Sequence, residues 1–283
     1  MTTVERRDAG LPQRAQGYVH ALVQLCAGRE PPAVSAVLFG SAAKGGFAAG
    51  ISDVDSIIVV DDSTSPDCRR AFADEIERLE IAHDLRPAAC AGKTALETFA
   101  ERAGGNALSS FVCTRSDLLS GDAARLFELR PAEALFVDRI LYANVILSAI
   151  TIWGEDLLPR VPIPPLRRLD VAKAFFLFAN QVLLSLAGFA VLPDATRYAM
   201  GSLKRSLHSC FFCYTLRAAP LEEEVALFRH VDGVNAVLDE LLALRARYRP
   251  SFGFVFRCLP ALARLHWRAA WDNGFPRRVV RPG

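Results

Sequence analysis

The sequence predicts an α+β chain whose first half mixes strands with helices and whose second half is an all-helical bundle. Three observations point there: short β-branched apolar runs bounded by Gly and Pro before residue 131, the fading of such runs beyond Arg130-Pro131, and long helical periodicities from there on. A chain of 283 residues exceeds one small domain. The expected organisation is a first domain over 1–130, a helical domain over 131–275 and a basic tail over 276–283.

Taken in order, Gln13 to Ala27 places Tyr18, Leu22, Leu25 and Cys26 at helical spacing, and Pro31-Pro32 stops any continuation. Ala33 to Phe39, held between those prolines and Gly40, suits a buried strand. Glycines at 40, 45, 46 and 50 mark an irregular connection, and Ser52 to Val60 is the strongest strand pattern in the chain. Pro66 to about His83 predicts a helix, with Ser65 as its cap, Pro66 at the first position and Phe72, Ile76 and Leu79 on one face. Lys93 to Arg102 suits a short helix, and Ala107 to Cys113 a further strand. Helical patterns then occupy about 132–153, 170–190, 194–217, 222–247 and 256–272, with Pro159, Pro162, Pro164 and Pro165 as a rigid connector.

Composition excludes several classes. Hydrophobic residues at 52% and charged residues at 23% describe a globular protein rather than a disordered one. A net charge of +2 is too small to argue for nucleic acid or an anionic membrane as partner, so neither is expected, while a protein partner stays open. Seven cysteines lack framework spacing and no secretory signal precedes them, which fits a reducing cytoplasm. Cys210-x-x-Cys213 reads as buried thiols rather than a zinc or redox site. Ala174 to Leu192 runs 19 residues without a charge, close to the roughly 20 that span a bilayer. Asn180, Gln181 and Gly188 inside it favour the central helix of a soluble bundle.

The chemistry-bearing constellation is Leu38-Phe39-Gly40-Ser41, eleven residues, then Asp53-Val54-Asp55 at the head of an apolar strand. Side chains alternate along a strand, so Asp53 and Asp55 would project to one face about 7 Å apart. Hard divalent cations combine one or two carboxylates with phosphate oxygens and water, which is what such a pair leaves room for. Gly40 lets backbone amides turn toward an anion, and the Ser41 hydroxyl can donate to a phosphate oxygen. Lys44 is a candidate for a further phosphate contact, its bland alternative being a solvated lysine. Gly-Ser and Asp-x-Asp are each common in turns; their order between two buried strands is much rarer.

With those residues in view, Val37 to Val60 resembles the active-site signature of the polymerase-beta-type nucleotidyltransferase superfamily, in particular its small bacterial and archaeal branches that include aminoglycoside nucleotidyltransferases. The specific match covers about 25 residues, with a looser likeness through Ser109 to Asp122 and Ile152 to Pro159. The resemblance implies a mixed β-sheet domain flanked by helices, Mg2+ or Mn2+ at Asp53 and Asp55, nucleoside triphosphate phosphates near Ser41, and a helical second domain. The implied activity is transfer of a nucleoside monophosphate from a triphosphate, ATP among them, to a hydroxyl on a small molecule or protein. Superfamily members generally carry a third carboxylate on a later strand, yet Ala107 to Cys113 holds none. Asp84 and Asp117 are the nearest substitutes, Asp84 being the better if Ile81 to Leu85 forms a short strand. In the second half Lys204 and His208 share a helix face that could hold triphosphate or acceptor, or could simply be solvated. The missing third acid also motivates an alternative, an inactive protein of the same fold acting as a binding or antitoxin-like regulator.

Overall fold

The computed structural model describes residues 13–43, 54–85, 110–127, 139–192 and 194–279. It divides into two compact units, the first running on through Val145–Pro164 and the second beginning again at Pro165.

The first unit is a four-stranded mixed sheet covered by helices. Helix α1 (Gln13–Gly28) buries Tyr18, Val19, Leu22 and Cys26 on one stripe. Strand β1 (Ser35–Phe39) is buried at all five positions, as befits a strand with neighbours on both edges and cover on both faces. A single helical turn, α2 (Gly40–Ala43), follows directly. Strand β2 (Asp55–Val60) pairs antiparallel to β1, setting Phe39 against Asp55 and Ser35 against Val59. Helix α3 (Pro66–Ala82) starts as its sequence dictates, with the Ser65 hydroxyl accepting from the Cys68 amide at 3.2 Å and Pro66 inside the first turn. It buries Phe72, Ile76 and Glu80, every fourth residue. Strand β3 (Ser110–Thr114) runs parallel to β2, and short helices α4 (Arg115–Leu119) and α5 (Ala123–Leu126) follow.

The stretch expected to be one helix over 132–153 differs. Helix α6 (Arg139–Ser148) ends and strand β4 (Ile150–Gly154) pairs antiparallel with the free edge of β1, giving the order β3-β2-β1-β4. The β-branched run Ile150-Thr151-Ile152 outweighs the helical period here. Gly154 closes the strand at φ +78, where a Cβ would stand 2.2 Å from the Val34 carbonyl oxygen. Ala36, Leu38, Ile58, Val60 and Val112 point to the side where α1 and α3 lie, and with Tyr18, Leu22, Phe72 and Ile76 they form the core of this unit. The expected helix over Lys93 to Arg102 lies outside the described residues.

The second unit is helical: α7 (Arg168–Ala187), α8 (Ala195–Thr215), α9 (Leu221–Phe228), α10 (Asn235–Ala246) and α11 (Phe252–Trp271), with α7, α8 and α11 packed on one another. The pattern expected over 222–247 is thus two helices, parted by Arg229 to Val234. Helix α7 is long and apolar enough to cross a membrane by length and composition. Its inward side nevertheless buries Asp170, Gln181 and Ser185, and the Gln181 side-chain oxygen accepts from Ser202 and Arg205 of α8. Cys210 and Cys213 are buried thiols that form no disulfide. The start of the basic tail is pinned at Arg277, whose backbone pairs both ways with Leu166 at 2.9 and 3.0 Å.

Candidate active site

Strand alternation sorts the first unit's polar groups onto two faces. Ser56 and Ile58 point toward α1 and α3, so Asp55 and Ile57 point the other way. On Asp55's side the sheet carries Phe39 and Phe111, their rings 6.2 Å apart, with Phe127 edge-on to Phe111 at 4.9 Å. Asp55, half-buried, opens β2 directly across from Phe39, so its carboxylate reaches the residue at which β1 becomes α2.

That residue is Gly40, at φ +70. A Cβ there would stand 2.0 Å from Asp55 Oδ2 and 3.0 Å from Cγ. The carboxylate therefore lies in the space a side chain at position 40 would take, and only glycine permits both the backbone turn and the approach. Of the residues singled out from sequence, Gly40 and Asp55 are brought together in this way. Ser41 is the second residue of α2. Asp53 and Lys44 lie outside the described residues. Lys204 and His208 belong to α8 in the second unit. There His208 Nδ1 donates to the fully buried Glu224 carboxylate at 2.6 Å, so the solvated-face alternative does not hold for it.

The substitutes for a third carboxylate fall elsewhere. Ile81 and Ala82 are the last turn of α3 rather than a strand, and Asp84 sits in the turn beyond, at φ 51, with its amide donating to Ile81 O at 3.0 Å. That helix covers the face away from Asp55. Asp117 closes a capping box with Thr114, accepting from the Thr114 hydroxyl at 2.6 Å, with Arg69 3.8 Å away. Thr114 pairs with Val60, the opposite end of β2 from Asp55, roughly 15 Å along the strand. Asp61 and Asp62, also at that end, are held below the usual carboxylate range, Asp61 by the Ser63 hydroxyl and amide and Asp62 by the Ser116 amide.

A buried network that sequence reasoning missed lies immediately behind Asp55. Ser56 Oγ donates to Ser110 Oγ at 2.8 Å, and Ser110 Oγ donates to Glu80 Oε1 at 2.7 Å, with the Tyr18 hydroxyl 3.4 Å from Ser110. Burial, reinforced by the Glu80 charge, raises the Tyr18 phenol and keeps it neutral. The network fastens β3 to β2 one residue past Asp55. Its sequence signal was a glutamate in the buried row of α3, in step with Phe72 and Ile76.

Asp55 offers the hard oxygen donor that magnesium or manganese takes, so the donor chemistry fits such an ion. Among the described residues no group of three or more His, Cys, Asp or Glu could hold one.

Comparison with known proteins adds two findings. Residues 23–89 match the family model described as a nucleotidyltransferase domain, a span that includes Gly40, Ser41, Asp53 and Asp55. The fold is similar to that of spectinomycin adenyltransferase AAD(9) from Enterococcus faecialis, solved with ATP and spectinomycin. Identity is 10% and the TM-score 0.50, over 87% of this chain and 98% of that one. No curated protein sequence matches the chain.

Proposed function

We propose that residues 23–89 belong to a nucleotidyltransferase domain of the polymerase-beta-type superfamily and that the chain transfers a nucleoside monophosphate from a nucleoside triphosphate to a hydroxyl on a small molecule. The observation that carries the proposal is the Asp55 carboxylate seated against the bare Cα of Gly40 at the head of a buried strand. The acceptor hydroxyl oxygen attacks the α-phosphorus and gives its proton to solvent, the bond to the bridging oxygen of the β-phosphate breaks, and pyrophosphate leaves with that electron pair. Asp53 and Asp55 would hold a divalent cation, magnesium or manganese, and such an ion would neutralise charge on the phosphate oxygens. Gly40 keeps Asp55 in place, the Ser41 hydroxyl donates to the leaving pyrophosphate, and Lys44 adds a cation beside it. Asp84, at the end of a helix on the other side of the sheet, is not assigned the acceptor's proton.

The similarity in fold to a protein solved with ATP and spectinomycin supports ATP and a small polyhydroxylated acceptor as the first pair to assay. Isothermal titration of ATP with magnesium into wild type and Asp55→Asn tests the site: binding in the first and loss in the second is expected. Equal affinity in two folded proteins rejects it.

A further inference from the structure

The outward side of a surface helix in a water-soluble bundle is ordinarily polar. Helix α7 departs from that rule: Leu169, Phe176 and Leu183 are 62, 65 and 49% exposed. Their seven-residue spacing is two helical turns, so they form one line along the helix, with Lys173 and Asn180 one turn on from the first two. Alongside, α11 exposes Phe252, Phe256, Trp267 and Trp271 by 54 to 66%. The two helices run antiparallel, with Arg168 4.9 Å over the Trp271 ring at one end and the Phe189 ring 5.2 Å from Phe252 at the other. The apolar rows therefore belong to neighbouring helices of one surface.

We propose that a second copy of this chain covers that surface, the two α7 helices crossing antiparallel about a two-fold axis at Phe176. At half to two-thirds exposure, seven large side chains offer roughly 100 Å2 apiece, or about 700 Å2 before any rim is added. A standard interface buries about 800 Å2 per partner. The stripe is also its own complement. Leu169 and Leu183 stand equally far from Phe176, so the axis sets Leu169 against Leu183 of the partner subunit and Phe176 against its own copy. Lys173 then lies beside Asn180 of the partner subunit, an ammonium facing an amide oxygen rather than another ammonium. Helices α7 and α11 carry five basic residues and one acid, and that acid, Asp170, is turned into the helix cap by the Arg167 amide at 2.7 Å. Such a surface would also attract an anionic membrane, but a membrane makes no use of mirror-spaced side chains.

Sedimentation equilibrium of the full chain tests the proposal. Wild type is expected to dimerise at micromolar concentration, and Phe176→Glu to weaken the dimer about a hundredfold while keeping its far-ultraviolet spectrum. In a background with Cys68 and Cys90 replaced by serine, Phe176→Cys is expected to form a disulfide-linked dimer by itself. Leu169→Cys is expected to do so only when mixed with Leu183→Cys. A wild type that stays monomeric, a dimer indifferent to Phe176→Glu, or a monomer that instead sediments with phosphatidylserine vesicles overturns the proposal.

Discussion

Replacing Gly40 with alanine separates what this position does for folding from what it does for chemistry. The new methyl would sit 2.0 Å from Asp55 Oδ2, whereas real contacts of that kind stay beyond 3.0 Å, so the carboxylate must retreat by about 1 Å. The backbone also stays at φ +70, which costs a residue with a side chain about 1–2 kcal/mol. Stability therefore falls modestly, because the displaced atom is the end of a side chain rather than backbone. Activity falls far more, since misplacement by about 1 Å of a group that aligns the reaction costs on the order of a hundredfold. The assay is initial-rate pyrophosphate release with ATP, magnesium and an accepted alcohol, run beside urea unfolding of the same preparation. Gly28→Ala is the control, for a methyl there meets nothing within 4 Å and should leave the rate unchanged. A folded Gly40→Ala protein that keeps its rate within a few-fold would refute the reasoning, because Asp55 would then not need the place it occupies.

Two further outcomes follow from buried polar groups. Ser110→Ala removes a donor from the buried Glu80 carboxylate and should cost about 1–3 kcal/mol in urea unfolding, whereas Ser120→Ala, at an exposed turn, should not. His266, between Ser206 Oγ at 2.8 Å and the Val171 carbonyl at 3.2 Å, is held by burial at about 4 against an ordinary 6.5. The unfolded chain thus takes up its proton first as pH falls, so stability drops from pH 6.5 to 4 by about 3 kcal/mol in total and levels off below. His266→Gln should flatten that part of the pH–stability curve, and an unchanged slope would contradict the assignment.

The two central strands were legible because Val37 to Phe39 and Ile57 to Val60 are continuous apolar runs that fit only an interior sheet. Helix α3 announced its own start through Ser65 and Pro66. Strand β4 was hidden because Ile140 to Gly154 is uncharged and mostly apolar, and such a run obeys helix and strand periods equally well. At the candidate site, Gly40 and Asp55 were legible from order and spacing. Their contact was not, since it depends on Phe39 pairing with Asp55, a register that no local pattern encodes. The Glu80 network was illegible for a related reason: its members come from four segments and meet only once the sheet has formed.

The late arrival of β4 bears on how this protein is made. Until Gly154 has emerged from the ribosome, β1 keeps one flank of amides and carbonyls without their eventual neighbour, on an almost wholly apolar segment. A truncated product stopping near residue 130 would end at the domain boundary read from the sequence yet present a raw β edge, prone to stick to its own kind. Expression of the first unit by itself should therefore extend to Pro164.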